Sequence, residues 1–236
     1  TSDTLLGGRI RVCQPDHGFR VAIDPVFLAA AVNAPPEGRI LDVGCGVGAA
    51  LFCALARQEE TSGVGLDIQA CMVSLAVRGI KENKLEQRAR VLEGDIALWS
   101  EKNEELFDVV LTNPPYFEVG SVPPTPHRSH SHTESEVNLA DWITACLECL
   151  RPRGQFVIIH RAERVSDIIA ALYRHAGAIN IYPFWPKKGK PAKRVIITAL
   201  KGRRSPTVVH PGLVLHKENG DYTEAANVIL KDAASL

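Results

Sequence analysis

From Arg39 onward, short apolar runs alternate with longer stretches in which apolar positions recur every three or four residues. The short runs predict strands at 39–43, 63–67, 89–93, 107–112, 154–160, 179–182 and 194–201, and the longer stretches predict helices at 47–58, 69–83, 139–150 and 162–175. Strands and helices in this order imply an α/β fold: a doubly wound, seven-stranded, mostly parallel sheet of the Rossmann-like type. Ahead of it, 9–13 and 19–23 flank the turn-rich Gln14-Pro15-Asp16-His17-Gly18 and read as a hairpin. A short helix is expected from Asp24-Pro25, with Asp24 as N-cap and Pro25 at the first helical position. Residues 1–38 therefore read as a small hairpin-and-helix extension of a domain over 39–236, whose tail can add a strand at 213–216 and a helix at 223–231. Two stretches, 118–137 and 185–193, are too polar and proline-rich for core elements and are expected as exposed loops.

Composition narrows this picture. In 236 residues, 45% are hydrophobic, enough for one well-buried α/β core. Lys+Arg and Asp+Glu both total 27, so any polyanion must be attracted by a local patch. No apolar run approaches the roughly 18 residues of a membrane span, and the polar opening is unlike a signal peptide, so a cytoplasmic protein without membrane contact is expected. The six cysteines are scattered as reduced thiols would be, and Cys146-x-x-Cys149 lies within a predicted helix as packing. The oligomeric state is not legible.

The first candidate chemistry is Leu41-Asp42-Val43-Gly44-Cys45-Gly46-Val47-Gly48, a buried strand running into a glycine turn and then a helix. The spacing is G-x-G-x-G, and an acid stands two residues before the first glycine, which favours a ligand with a cationic amine over a pyrophosphate. Asp67 ends the next strand, where a carboxylate can accept hydrogen bonds from two ribose hydroxyls, and Asp95 follows the third strand. In this series the chain resembles the class I S-adenosylmethionine-dependent methyltransferases over roughly residues 39–200. The resemblance implies a S-adenosyl-L-methionine site with Asp42 near the methionine amino group, the backbone of Gly44, Cys45, Gly46 and Gly48 around it, and Asp67 on the ribose. It also implies Asp95 on the adenine amino group, with Ile68 and Ile96 on the ring faces. No metal is expected. Asp24 and Phe27, on the helix just before the glycine strand, are expected to close over the cofactor.

The second is Asn113-Pro114-Pro115-Tyr116, directly after the strand 107–112. An exocyclic amino nitrogen is a poor nucleophile because its lone pair is conjugated into its ring. If the Asn113 side-chain oxygen and the Pro114 carbonyl accept its two hydrogens, they orient it toward the methyl donor and stabilise the positive charge that develops. Pro115 stiffens the turn, Tyr116 can stack on the target base, and Asn113 borders both cofactor and substrate. This tetrapeptide serves methyltransferases acting on adenine, cytosine, guanine and protein glutamine, so it defines the nitrogen and not the molecule.

Over nearly its whole length the chain resembles the valine-tRNA adenine-N6 methyltransferases. The matching stretches are Ala22-Ile23-Asp24 with Leu28, Asn113–Phe117 with Gly120, Thr125-Pro126-His127-Arg128, Arg194-Val195-Ile196 and Gly220–Glu224. The resemblance implies methylation of an unpaired tRNA adenine, with Tyr116, Phe117 and Arg128 among the substrate contacts. His132 departs from the pattern where a second arginine is expected, and a neutral imidazole there weakens a phosphate contact. His127, His130 and His132 read as a solvated loop rather than metal ligands. A basic run, Lys187, Lys188, Lys190, Lys193, Arg194, Lys201, Arg203 and Arg204, offers phosphate contacts for RNA. The alternatives are a protein glutamine N5-methyltransferase, a ribosomal RNA or DNA base methyltransferase, and a module that binds cofactor or RNA without turnover. The first usually carries a large helical N-terminal domain, and only residues 1–38 precede the glycine strand here.

Overall fold

The computed structural model describes residues 1–17, 20–102, 104–114 and 139–236. Strands β1 (Ser2–Leu5) and β2 (Ile10–Cys13) form an antiparallel ribbon and are followed by helix α1 (Asp24–Ala30). The chain then alternates through β3 (Arg39–Val43), α2 (Ala49–Arg57), β4 (Ser62–Asp67), α3 (Ala70–Glu82), β5 (Ala89–Glu93), α4 (Ile96–Lys102) and β6 (Phe107–Thr112). After α5 (Leu139–Glu148) come β7 (Leu150–Arg161), α6 (Val165–Leu172), β8 (Ala176–Trp185) and β9 (Arg194–Lys201). Two short strands, β10 (Val208–Val209) and β11 (Leu213–Val214), and helix α7 (Glu224–Asp232) complete it.

The main sheet runs β10-β8-β9-β7-β6-β3-β4-β5, with β11 also paired to β8. Among the described strands of this sheet only β9 is antiparallel to its neighbours. The expected mostly parallel, doubly wound architecture is therefore present, with its seven principal strands β3–β9 extended by the two short ones. Because successive residues of a strand point to opposite faces, each strand feeds two cores. Ile40, Leu111 and Ile159 pack under α1, α2, α3 and α7, whereas Leu41, Val110 and Ile158 pack under α4, α5 and α6. Asp42 lies on the same side of β3 as Ile40, beneath α2, and this placement governs its chemistry.

Three local expectations are corrected. The hairpin pairs β2 with Ser2–Leu5, and among the described residues 20–23 no strand partner of β2 is found. Beyond Cys13 the chain is tied through a side chain instead of a ladder: Gln14, 2% exposed, accepts from the Val21 N–H through Oε1 at 2.7 Å. Asp24 is not the N-cap of α1, which is Ile23; its carboxylate instead accepts from Arg194 Nε at 3.0 Å. Phe27 does not face a cofactor either. It is 1% exposed, and its ring lies 5.0 Å from that of Phe184 on β8.

The extension and the tail share the α2-side core, since Leu6, Ile10, Val12, Ala226 and Ile229 belong to the same buried cluster as α2. Thr223 caps α7 by accepting from the Ala226 N–H at 3.2 Å. Arg57 of α2 donates to the carbonyls of Ile229 and Ala234 at 2.9 and 2.6 Å, satisfying acceptors at the end of α7. Cys146 and Cys149 are buried, and burial pushes the Cys149 thiol up to about 12. Among the described residues no helix is long and apolar enough to cross a membrane.

Candidate active site

The carboxyl ends of β3, β4, β5 and β6 lie side by side, and each is followed by one of the singled-out residues. β3 is the point of divergence: the chain leaves it through α2 to reach β4 on one side, while β6 lies on the other. A crevice opens where connections part in this way, and ligands bind there.

The glycine turn is held from below. Gly44 and Cys45 donate N–H groups to the Leu66 carbonyl at 2.8 and 3.1 Å, and Gly48 donates to the Cys45 carbonyl at 2.9 Å. Gly44, Gly46 and Gly48 have φ of 71°, 54° and 83°, a region that strains any residue with a β-carbon. A β-carbon at Gly46 would meet nothing within 4 Å, so this part of the turn is open to an approaching ligand. Cys45 turns its thiol inward, toward the place where a β-carbon on Gly65 would lie only 2.8 Å from Sγ. Glycine in the middle of β4 thus makes room for the turn.

The acids act first on this turn. Asp42 is 2% exposed and accepts from the Leu51 N–H, in the first turn of α2, at 3.0 Å. Burial pushes its carboxyl up to about 7; the Leu51 N–H opposes the shift and neighbouring Asp67 adds to it. Asp67 is 6% exposed and accepts from Gly46 N at 2.7 Å and Gln69 N at 2.9 Å. Its carboxyl is also raised by burial, against those two donors. Asp95 Oδ1 accepts from Ala97 N at 2.8 Å at the start of α4. Of the two expected ring walls, Ile68 is 57% exposed at the end of β4, whereas Ile96 is 3% exposed. Ile96 packs in the core with Leu66 and Phe107, which leaves it no open face for a ligand ring.

Asn113 and Pro114 follow β6 beside the glycine turn, Thr112 being the register partner of Val43. Pro115, Tyr116, Phe117 and Arg128 lie outside the described residues, as do His127, His130 and His132. Two residues that the sequence reading did not single out join the site. Thr112, 0% exposed, donates its hydroxyl to the Val43 carbonyl at 2.8 Å, and Trp142 of α5 donates Nε1–H to that hydroxyl oxygen at 3.0 Å.

The basic run does not form one patch. Arg161 pairs with Arg194 and Gln155 with Leu200, so β9 starts at the site edge and carries the chain to the opposite edge. Lys187, Lys188, Lys190, Lys193 and Arg194 therefore stay on the site side, and Lys201, Arg203 and Arg204 lie away from it. Lys201 donates to the Leu150 carbonyl at 2.8 Å, at the far end of β7. Lys187, Lys190 and Lys193 line a recess of about 390 Å³ with Pro186, Pro191 and His216. Arg194 is held by Asp24, as described above. Nearby His160 is 0% exposed, and burial together with Arg164, Arg161 and Arg194 holds its imidazole down at about 4.

A glycine turn, flanking acids and an Asn-Pro pair at adjoining strand ends of such a sheet define a Rossmann-like methyltransferase. Residues 20–180 match the model of the methyltransferase small domain, and the chain belongs to that family. It is similar to the tRNA1(Val) (adenine(37)-N6)-methyltransferase of Haemophilus influenzae, 25% identical over 227 residues that cover 95% of each chain. The protein of the same name from Bacteroides fragilis is 27% identical over 186 residues, 76% of each. Among solved structures, a predicted O-methyltransferase from Agrobacterium tumefaciens superposes with a TM-score of 0.76 at 26% identity, covering 90% of this chain and 98% of that one.

Proposed function

We propose that the chain transfers the methyl group of S-adenosyl-L-methionine to N6 of an unpaired adenine in tRNA. The observation that carries this reading is the juxtaposition of Asn113 and Pro114 with the glycine turn, through the paired strand ends Val43 and Thr112. The open backbone at Gly46, the carboxylate of Asp67, and Asp95 with exposed Ile68 are the groups that would hold the cofactor's methionine, ribose and adenine parts. Asp42 fixes the start of α2 from beneath the turn, and it adds negative potential there once its raised carboxyl ionises. When bound, the cofactor supplies an electrophilic methyl group on a sulfonium.

The chain's own groups then act on the acceptor. The Asn113 side-chain oxygen and the Pro114 carbonyl accept the two amino hydrogens, holding the nitrogen in line and stabilising its developing charge. Tyr116 and Phe117 supply stacking surface, and Arg128, Lys187, Lys188 and Lys190 supply phosphate contacts. The two curated relatives carry the tRNA adenine name over most of the chain, which supports this acceptor. A base in an anticodon loop is already unpaired, so presenting it costs at most a few kcal/mol of unstacking.

The similar Agrobacterium protein is a predicted O-methyltransferase, and a hydroxyl acceptor would give a different product. Incubation with tritiated S-adenosylmethionine and total tRNA from a strain lacking the enzyme, followed by nucleoside analysis, separates the two. The expected product is N6-methyladenosine. Label in ribose 2′-O-methyl groups, or none in tRNA, overturns the reading.

A further inference from the structure

We propose that Trp142 and Thr112 form a two-residue clip that positions the Asn113 turn against the cofactor turn during methyl transfer; this rests on the methyltransferase reading above. Three contacts carry it. The Thr112 hydroxyl spans two strands, donating at 2.8 Å to the carbonyl of Val43, the last residue of β3. Trp142 Nε1 donates at 3.0 Å to the same hydroxyl. The six-membered ring of the indole lies over Gly44: a β-carbon built there would be 3.2 Å from Cζ2 and 3.4 Å from Cη2.

One side chain from α5 thus touches both halves of the site. It covers the first glycine of the cofactor turn, and it fixes the hydroxyl of the residue that precedes Asn113. A threonine hydroxyl has one proton to give. With that proton committed to Val43 and a lone pair engaged by the indole, its orientation is fully determined. The strand ends β3 and β6 are then joined by a side-chain bond beyond their register pair Val43–Thr112, where the parallel ladder stops.

Methyl transfer needs the donor carbon and acceptor nitrogen about 3–3.5 Å apart and aligned, and a misplacement of 1 Å can cost on the order of 100-fold in rate. The clip sets that separation without touching either reactant, so Trp142 and Thr112 are positioning residues. They should affect turnover more than binding.

Three variants test this: Thr112→Val removes the hydroxyl at equal size, Thr112→Ser keeps it, and Trp142→Phe keeps a ring over Gly44 without the N–H. Activity is measured on whichever acceptor the wild type methylates, including ribosomal RNA, DNA and glutamine peptides. Failure on tRNA therefore revises the acceptor and leaves the clip under test. Cofactor affinity is read separately, by calorimetry with S-adenosylhomocysteine. Thr112→Val and Trp142→Phe are expected to lower kcat by about 10- to 100-fold while KM and the S-adenosylhomocysteine Kd stay within about threefold. Thr112→Ser should retain most of the wild-type kcat. The double variant should be little worse than the poorer single one, because both act through one bond chain. Unchanged kcat in Trp142→Phe and Thr112→Val overturns the clip. So does a parallel fall of kcat, cofactor affinity and thermal midpoint, which would mark a purely structural role.

Discussion

Replacing Asp42 by asparagine tests the chemistry beneath the glycine turn. The folded chain lifts this carboxyl from an ordinary 3.8 to about 7, so Asp42 keeps its proton across a window in which the unfolded chain has released it. The folded state then binds more protons than the unfolded one, and stability falls as pH rises from about 4 to about 7. At about 1.36 kcal/mol for each tenfold change, the full cost above pH 7 is about 4 kcal/mol. Asparagine keeps an oxygen to accept from Leu51 N and never ionises, but it buries an NH₂ group that costs roughly 1–3 kcal/mol if unpaired. At pH 8 the variant is therefore expected to be more stable than wild type by about 1–3 kcal/mol. At pH 5 only about 1–2 kcal/mol of the charge cost has accrued, so the two should be nearly equal. Urea denaturation at both pH values reads the difference directly. If the gap between variant and wild type is the same at pH 5 and pH 8, Asp42 titrates normally and the argument fails. The same ionisation bears on the ligand. A cationic cofactor above the turn favours the charged carboxylate, so wild-type cofactor affinity should rise with pH through 7, whereas the variant's should not.

Three further outcomes are expected. Asn113→Ala should lower methyl transfer by about 100- to 1,000-fold with S-adenosylhomocysteine binding retained, and an unaltered rate would remove the acceptor role assigned to this turn. Gly65→Ala places a β-carbon 2.8 Å from Cys45 Sγ and should destabilise the chain by about 1–3 kcal/mol in thermal melts, with a large part recovered by adding Cys45→Ala; equal destabilisation in both would mean the turn is not what the β-carbon displaces. Neutralising Lys188 and Lys190 together should flatten the slope of log affinity for tRNA against log salt by up to about 1.4, whereas neutralising Arg203 and Arg204 should leave it unchanged; the reverse pattern would move the RNA to the far edge of the sheet.

Much of this was legible in the sequence, and the exceptions have physical causes. The runs at 39–43, 89–93, 107–112 and 194–201 match β3, β5, β6 and β9 residue for residue; three of them are largely buried apolar runs, and β5, with only Val91 buried, is set by its pairing with β4 at the edge of the sheet. β7 begins four residues earlier than its apolar core because Leu150-Arg151-Pro152-Arg153 is held largely by charge, with Arg151 Nη1 2.7 Å from Asp108 Oδ1. The partner of β2 was not legible: a buried glutamine side chain replaces the ladder that the hairpin reading required. Asp42 was found as a site acid, but its hold on the start of α2 through Leu51 N was not. The signal was present, since period-two alternation puts it on the side of Ile40 and not at the open edge. The split of the basic run was likewise available, because an eight-residue strand spans about 26 Å and must separate its two ends. Trp142 could not be found, as its importance lies in a contact between residues 30 positions apart that no periodicity encodes.

The two short strands of the tail have a consequence for how the molecule meets its own copies. A sheet's outermost strand offers unpaired amide and carbonyl groups on which another chain can grow. Here the ten-residue β8 is covered not by one long strand but by two of two residues each, parted by His210-Pro211-Gly212. Proline brings no N–H to that rim, and Gly212, at φ 77°, turns the chain so closely that a β-carbon would collide with the Pro183 carbonyl. The rim is thereby broken into pieces too short to template an intruding strand, which protects the sheet from edge-to-edge aggregation.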